Sequence, residues 1–283
     1  MTSWIKAAPQ KPLESKPTLF FETNADGFCG NFIDYLYAYI YAQTVQQPLY
    51  VYDRTNSIGY TYPLLLRTFE QEPKVLYTDA MVPTASSMKK RPMQLKIQEC
   101  IRALPVDSLR KNAAELFTWN STLLQRLVGL GSRRFPATFD VGVHIRAANR
   151  VGRQELPAIP IEKYVSAIKE HQKKAKKAKL DVFVMTDTVS MLEALKKAAD
   201  SSWTVHHLPT NLINADTHVQ ARFNSAPFRE KTPVYESFIA ELTMLQKAAA
   251  VVCTMESSVA KFLYLTMPDT TEFVSLDKNF SAF

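Results

Sequence analysis

The feature that most constrains the fold is a repeated alternation of short apolar strands and longer helices along the 283 residues. Strands are predicted at 18–23, 48–52 and 74–77. Apolar residues at helical spacing predict a helix at 31–46, and a further region at 88–130 is mainly helical with a break near Pro105. This alternation is typical of a parallel sheet covered by helices.

The same alternation restarts after a hinge at about 131–138. The second series has strands at 139–145, 181–185, 204–208, 250–253 and 272–276, and helices at 161–177, 189–199, 234–248 and 257–265. We therefore predict an unstructured lead-in at 1–17 and two Rossmann-like α/β domains, 18–134 and 135–283. Their facing carboxyl strand ends should border a cleft, the place where open α/β sheets bind ligands.

Composition excludes several classes of protein. The net charge of +7 fits an anionic partner, but the lysine-rich run at 169–179 is typical of a solvated helix face, so no nucleic-acid partner is predicted. The three cysteines are widely spaced, which argues against a zinc site or a disulfide framework and favours a reducing compartment. Without a predicted signal peptide or membrane segment, we expect a cytoplasmic location.

The most informative stretch is a buried strand that ends in His144 and Arg146. Alternate residues of a strand point to the same face, so these two side chains can project together into the cleft. The planar fork of an arginine is well suited to a diphosphate. The alternative is a surface arginine paired with a carboxylate and a histidine satisfied within the core.

Three further strand ends carry polar groups. Gly30 and Asn31 follow the first strand, where a glycine turn could bring amides to an anion; an ordinary turn with Asn31 as helix N-cap is the alternative. Asp187 follows the strand at 181–185 and is either a ligand contact or an N-cap. The loop after the strand at 250–253 leads into a helix that Ser257 or Ser258 caps, and the free amides of that helix's first turn could face the cleft and bind a phosphate. The loop residues are Thr254, Met255, Glu256, Ser257 and Ser258.

Together these segments resemble the α1,6-fucosyltransferases of N-glycan cores, the bacterial nodulation fucosyltransferases and, more loosely, the protein O-fucosyltransferases. The resemblance covers Phe139–Asp277. It rests on the segments at 144–154 (HIRAANRVGRQ), 160–164 (PIEKY), 186–192 (TDTVSML) and 253–257 (CTMES), and more weakly on 28–31 (FCGN).

The resemblance implies a GT-B-like fold and an inverting, metal-independent glycosyltransferase. It makes Arg146 the ligand of the donor β-phosphate and Ser257 a second phosphate contact. His144 and Glu241 are implied to hold the base and ribose, and Tyr164 and Arg150 to line the sugar pocket. The implied partners are a GDP- or UDP-linked sugar donor and a glycan acceptor, with no cofactor. The chain also lacks an Asp-x-Asp motif, so it has no evident carboxylate pair for a metal ion.

Several positions depart from the family pattern. Ala147 replaces an arginine, Asn149 replaces an aspartate, Gln154 replaces an acidic residue, and Glu241 replaces the aspartate that recognises guanine. These changes would suit another donor, such as a UDP-pentose. The first candidate for the general base is Glu155, followed by Asp26 and His144.

The leading hypothesis is therefore transfer of fucose, or of a pentose such as xylose, to a glycan hydroxyl. The lost carboxylates also fit a catalytically inactive nucleotide- or glycan-binding module. A GT-B-like sugar-nucleotide epimerase is a third hypothesis, because fold alone does not decide function.

Overall fold

The computed structural model describes residues 19–22, 27–47, 49–52, 75–76, 91–117, 135–146, 159–208 and 228–283. The predicted lead-in at 1–17 and the segment before the predicted boundary, 118–134, lie outside the described residues. None of the helices in the described part of the chain combines the length and apolar character that a membrane span requires.

The first sheet has three parallel strands in the order β1-β2-β3. They are β1 (Leu19–Glu22), β2 (Leu49–Tyr52) and β3 (Val75–Leu76). Leu19 pairs with Leu49, and Val51 pairs with Val75. The strand predictions in this half are confirmed within one or two residues at each end.

Helix α1 (Phe28–Thr44) begins three residues earlier than the predicted helix. Its N-cap is Gly27, in extended backbone, so the alternative with Asn31 as N-cap is wrong. Asn31 is fully buried inside the helix, where its amide and its side chain both donate to the Gly27 carbonyl at 3.1 and 3.3 Å. Gly30 also lies within the first turn of the helix instead of in the preceding turn.

Two more helices follow, α2 (Arg91–Arg102) and α3 (Val106–Leu116). Pro105 separates them, as predicted. It lacks an N–H to continue α2, but it serves as the N-cap of α3 because that position needs no such donor.

The second sheet has five parallel strands in the order β6-β5-β4-β7-β8. They are β4 (Phe139–Ile145), β5 (Leu180–Thr186), β6 (Trp203–His206), β7 (Ala248–Cys253) and β8 (Glu272–Ser275). From β4 the chain adds β5 and β6 on one side and then returns to add β7 and β8 on the other. The strand order therefore reverses between β4 and β7, and their carboxyl ends form the topological switch point.

The helices of this half are α4 (Ile161–Ala175), α5 (Val189–Ala198), α6 (Phe228–Leu245) and α7 (Ser258–Thr266). The predicted helix at 234–248 continued too far, because Ala248 already pairs with Phe139 in the sheet. Alanine has a high helix propensity, but strand pairing decides the structure here. Gly142 allows α6 to approach β4 closely, since a Cβ there would lie 2.8 Å from Leu245 Cδ2.

The two halves share an apolar core. Phe262 of α7 is completely buried, and its ring centroid lies 5.2 Å from that of Phe32 in α1 and 4.9 Å from that of Phe117 after α3. The C-terminal residues reinforce this contact, since the Tyr37 hydroxyl donates to the Ala282 carbonyl at 3.1 Å. Aromatic packing therefore joins the second sheet's helix layer to the first half.

We expect Phe262→Ala to lower the free energy of unfolding by about 3–5 kcal/mol, because it leaves a cavity between the rings of Phe28, Phe32 and Phe117. Leu95→Ala in α2 is the control, since that side chain is 58% exposed and should change stability by less than about 0.5 kcal/mol. Urea unfolding measures both. Equal losses in the two variants would contradict a shared core centred on Phe262.

Candidate functional site

The candidate site lies at the carboxyl edge of the second sheet. Arg146 directly follows β4, and the loop Thr254–Ser257 directly follows β7, the two strands that flank the switch point. Parallel pairing of Val143 with Val252 brings these strand ends to the same level. A ligand at this edge would therefore meet the end of β4 and the first turn of α7 together.

Arg146 forms an ion pair with Asp187. Ile145 pairs with Thr186 across the sheet, so the next residue of each strand emerges beside the other. Arg146 Nη1 lies 3.6 Å from Asp187 Oδ2, and the two side chains are 36% and 34% exposed. That distance is longer than a hydrogen bond, so the guanidinium is not locked in a bidentate contact with this carboxylate.

Asp187 is not the N-cap that the sequence offered as an alternative. The N-cap of α5 is Thr188, whose backbone is extended and whose amide donates to Thr186 Oγ1 at 3.3 Å. Asp187 instead directs its carboxylate towards Arg146. A carboxylate partner for Arg146 is the alternative to a ligand that the sequence offers, and the structure contains that ion pair.

His144 is buried beneath Arg146. It alternates with Gly142 along β4 and so lies on the face covered by α6. Burial, and secondarily the Arg146 cation, lower the pKa of His144 to about 3. Among the residues that the structure describes, its Nδ1 has no hydrogen-bond partner. The imidazole is therefore neutral near pH 7 and too weak a base to suit proton abstraction there.

Glu241 approaches the same edge from α6. This helix ends just before β7 begins, so it runs antiparallel to the strands, and Glu241 lies one turn nearer the carboxyl edge than Leu245. Although part of Glu241 stays accessible to solvent, burial, and secondarily the Asp187 carboxylate, raises its pKa to about 8. Glu241 is therefore largely protonated at neutral pH.

The loop after β7 is held by a helix cap and by a carboxylate from the end of the sheet. Ser257 is the N-cap of α7, as predicted, and its hydroxyl accepts from the Val259 amide at 3.3 Å. The amides of Met255 and Glu256 donate to the Asp277 carboxylate at 2.6 and 2.9 Å. In this structure those two amides are therefore occupied by Asp277, and phosphate binding by the first-turn amides of α7 stays a prediction.

Asp277 is the site residue that sequence reasoning missed. It follows β8, and its carboxylate also accepts from the Ser275 hydroxyl at 2.7 Å and from the Lys278 amide at 2.8 Å. These hydrogen bonds hold the pKa of Asp277 below its usual range even though burial opposes the shift. The sequence did carry a signal for this residue, because Asp277 lies two residues beyond β8, and the carboxyl end of β8 borders the same edge of the sheet.

Tyr164 lies on the other face of the sheet. It is completely buried in the first turn of α4, within the apolar cluster that includes Val143 and Val252. Its hydroxyl has no hydrogen-bond partner in the described ranges, and burial raises its pKa above the ordinary value. Its implied contact with a sugar stays a prediction.

The other predicted site residues are distributed as follows. Gly30 and Asn31 lie in α1 of the first half, and Thr254 and Ser258 lie on either side of the Ser257 cap. Asp26, Arg150 and Glu155 fall outside the described residues. Within the described ranges, no three His, Cys, Asp or Glu side chains come together as a metal-ion site would require, and metal independence stays a prediction.

Comparison with known proteins identifies the fold. No protein-family model matches the chain, and neither does any curated protein sequence. Among solved structures, a NodZ α1,6-fucosyltransferase soaked with GDP-fucose aligns at 15% identity with a TM-score of 0.50, over 89% of this chain and 94% of that one. POFUT1 in complex with GDP-fucose aligns at 10% identity with a TM-score of 0.55, over 92% of this chain and 98% of that one.

A mutant of Arabidopsis thaliana FUT1 in complex with GDP aligns at 11% identity with a TM-score of 0.52, over 90% of this chain and 71% of that one. All three are GT-B fucosyltransferases. The chain therefore has the two-part α/β GT-B-like fold of these enzymes, which confirms the predicted fold class and the predicted structural resemblance. The identities are too low for the fold to carry an activity with it.

The raised pKa of Glu241 predicts a pH-dependent penalty on stability. The folded protein keeps a proton that the unfolded chain loses between about pH 4.5 and 8, so this carboxyl lowers stability as pH rises through that window. Glu241→Gln should remove the penalty, because glutamine does not titrate. The free energy of unfolding of Glu241→Gln minus that of wild type should therefore increase by up to about 1.4 kcal/mol per pH unit. Urea unfolding at pH 5, 6, 7 and 8 measures the difference; a constant difference would contradict the buried protonated carboxyl.

Proposed function

We propose that the protein is a glycosyltransferase that moves a sugar from a nucleoside-diphosphate donor to a glycan hydroxyl. The observation that carries the proposal is Arg146 at the switch point, beside the N-terminus of α7, in a chain with the fold of enzymes crystallised with GDP or GDP-fucose. An arginine fork and free helix amides are complementary to a diphosphate.

The proposed chemistry needs charge stabilisation on the leaving diphosphate. As the bond between the sugar and the β-phosphate breaks, negative charge grows on that phosphate. Arg146 is half exposed, and its contact with Asp187 is loose enough for the guanidinium to turn towards a phosphate. The Ser257 cap holds the first turn of α7 in place beside it, so both groups can act without large rearrangement.

We further propose inversion at the anomeric carbon by direct attack of the acceptor hydroxyl. The attack requires a general base with a pKa near the working pH. Its burial and its pKa of about 3 make His144 the least suitable of the three candidate bases. Glu155 is the first proposed base, and Asp26 is the second.

GDP-fucose is the first donor to test because the similar structures were determined with GDP or GDP-fucose. The departures at Asn149, Gln154 and Glu241 are the reason to include a UDP-pentose. Thermal-shift and donor-hydrolysis measurements over GDP-fucose, GDP-mannose, UDP-xylose and UDP-glucose test the class. Binding of none would overturn the proposal, binding without transfer would indicate an inactive module, and acceptor-free isomerisation would indicate an epimerase.

Arg146→Ala and Arg146→Lys should each lower kcat by about 100-fold or more, the scale observed when one preorganised donor to a developing charge is lost. Lysine keeps the charge but lacks the planar pair of donors, so it should not rescue turnover. The free energy of unfolding should change by less than about 1 kcal/mol, because the ion pair with Asp187 is partly exposed and longer than a hydrogen bond. Arg102→Ala, which removes an exposed arginine of α2 that lies over Phe283, should keep full turnover. A folded Arg146→Ala variant with wild-type kcat would refute the phosphate assignment.

Activity should persist in excess EDTA, because the proposed charge stabilisation comes from Arg146 and helix amides. Initial rates before and after chelation, and after readdition of Mn²⁺ or Mg²⁺, measure this. A loss of activity that Mn²⁺ restores would show that a metal ion shares the diphosphate.

A further inference from the structure

The Asp277 carboxylate accepts four hydrogen bonds at the carboxyl edge of the second sheet. Oδ1 accepts from the Met255 amide, the Ser275 hydroxyl and the Lys278 amide at 2.6, 2.7 and 2.8 Å. Oδ2 accepts from the Glu256 amide at 2.9 Å. The two successive loop amides of Met255 and Glu256 thus donate to one anion. Such a pair of adjacent backbone amides is called a nest, and nests are known to bind phosphate.

The loop is fixed to the segment after β8 by a second contact as well. Lys278 Nζ forms an ion pair with the Glu256 carboxylate. Lys278 directly follows Asp277 in the chain, and the amide of Glu256 is one of the two loop amides that donate to Asp277. Met255 itself is 2% exposed. The amides of Met255 and Glu256 are therefore directed at Asp277, and while it accepts from them they are not available to a phosphate held by Arg146.

We propose that Asp277 is an internal anion that saturates this nest and confines the donor diphosphate to Arg146 and the first turn of α7. The inference rests on the proposed diphosphate site. Asp277 is a positioning residue, because it acts through the loop and touches no reacting atom. Its effect is specific: it withholds two N–H donors and places a negative charge beside the phosphate site.

A purely structural carboxylate and an internal anion make opposite predictions about anion affinity. If Asp277 only held the loop in shape, removing it would weaken anion binding. If it occupies the nest, removing it frees donors that a phosphate can use, and charge-assisted hydrogen bonds of this kind are strong. The sign of the change therefore distinguishes the two roles.

The test is calorimetric titration of inorganic pyrophosphate, and of GDP, into wild type, Asp277→Asn and Asp277→Ala. Asparagine keeps the size and one acceptor oxygen, so it is the variant that preserves the loop; alanine frees both amides. We expect affinity for pyrophosphate to rise in the order wild type, asparagine, alanine, by about 3- to 10-fold overall. Ser275→Ala is the matched control, since it removes one donor to Asp277 and leaves the carboxylate, and it should bind as wild type does.

Unchanged or weaker pyrophosphate binding by folded Asp277→Asn would overturn the inference. The same titrations in an Arg146→Ala background separate it from the proposed function. If wild type and Arg146→Ala bind pyrophosphate equally, the Arg146 assignment fails, whereas a gain on adding Asp277→Ala still supports the occupied nest. If Arg146→Ala abolishes binding and Asp277→Ala restores none, the proposed phosphate site stands and the inference about Asp277 fails.

Discussion

The parallel pairing of β4 with both β5 and β7 is the constraint on which the candidate site depends. Val141, Val143 and Ile145 are buried against α4 on one face, while Gly142 and His144 face α6 on the other. A slip of one residue in this strand would exchange the faces and direct Arg146 away from the α6 side. The buried alternation therefore fixes the pairing, and the pairing brings Arg146, Asp187 and the loop after β7 to one edge.

The position of the first half relative to this edge depends on aromatic packing. Phe28 and Phe32 of α1 and Phe117 after α3 surround Phe262 of α7, the helix whose N-terminus borders the switch point. Interfaces this apolar resemble a single domain core more than a mobile domain contact. A large hinge motion between the halves would have to break that core.

The sequence predicted the sheet strands well because their apolar runs have clear ends in glycine, proline or charged residues, and β4 matches its predicted bounds. Predictions from the sequence were wrong where contacts between distant segments determine the local structure. The start of α1 was missed because its N-cap, Gly27, has no capping side chain, and β7 was shortened because its alanines favour a helix. Asp277 was missed because its bonds to Met255 and Glu256 span more than twenty residues, a contact that no local pattern encodes.

Burial leaves two titratable side chains of the candidate site uncharged. The low pKa of His144 and the raised pKa of Glu241 make both side chains neutral near pH 7, while Arg146 and Asp187 form an ion pair. A diphosphate entering such a site must compete with Asp187 for the guanidinium, and the nest that could add further donors already holds Asp277. If the proposed function holds, donor affinity depends on how readily the Arg146 guanidinium leaves Asp187 for the phosphate.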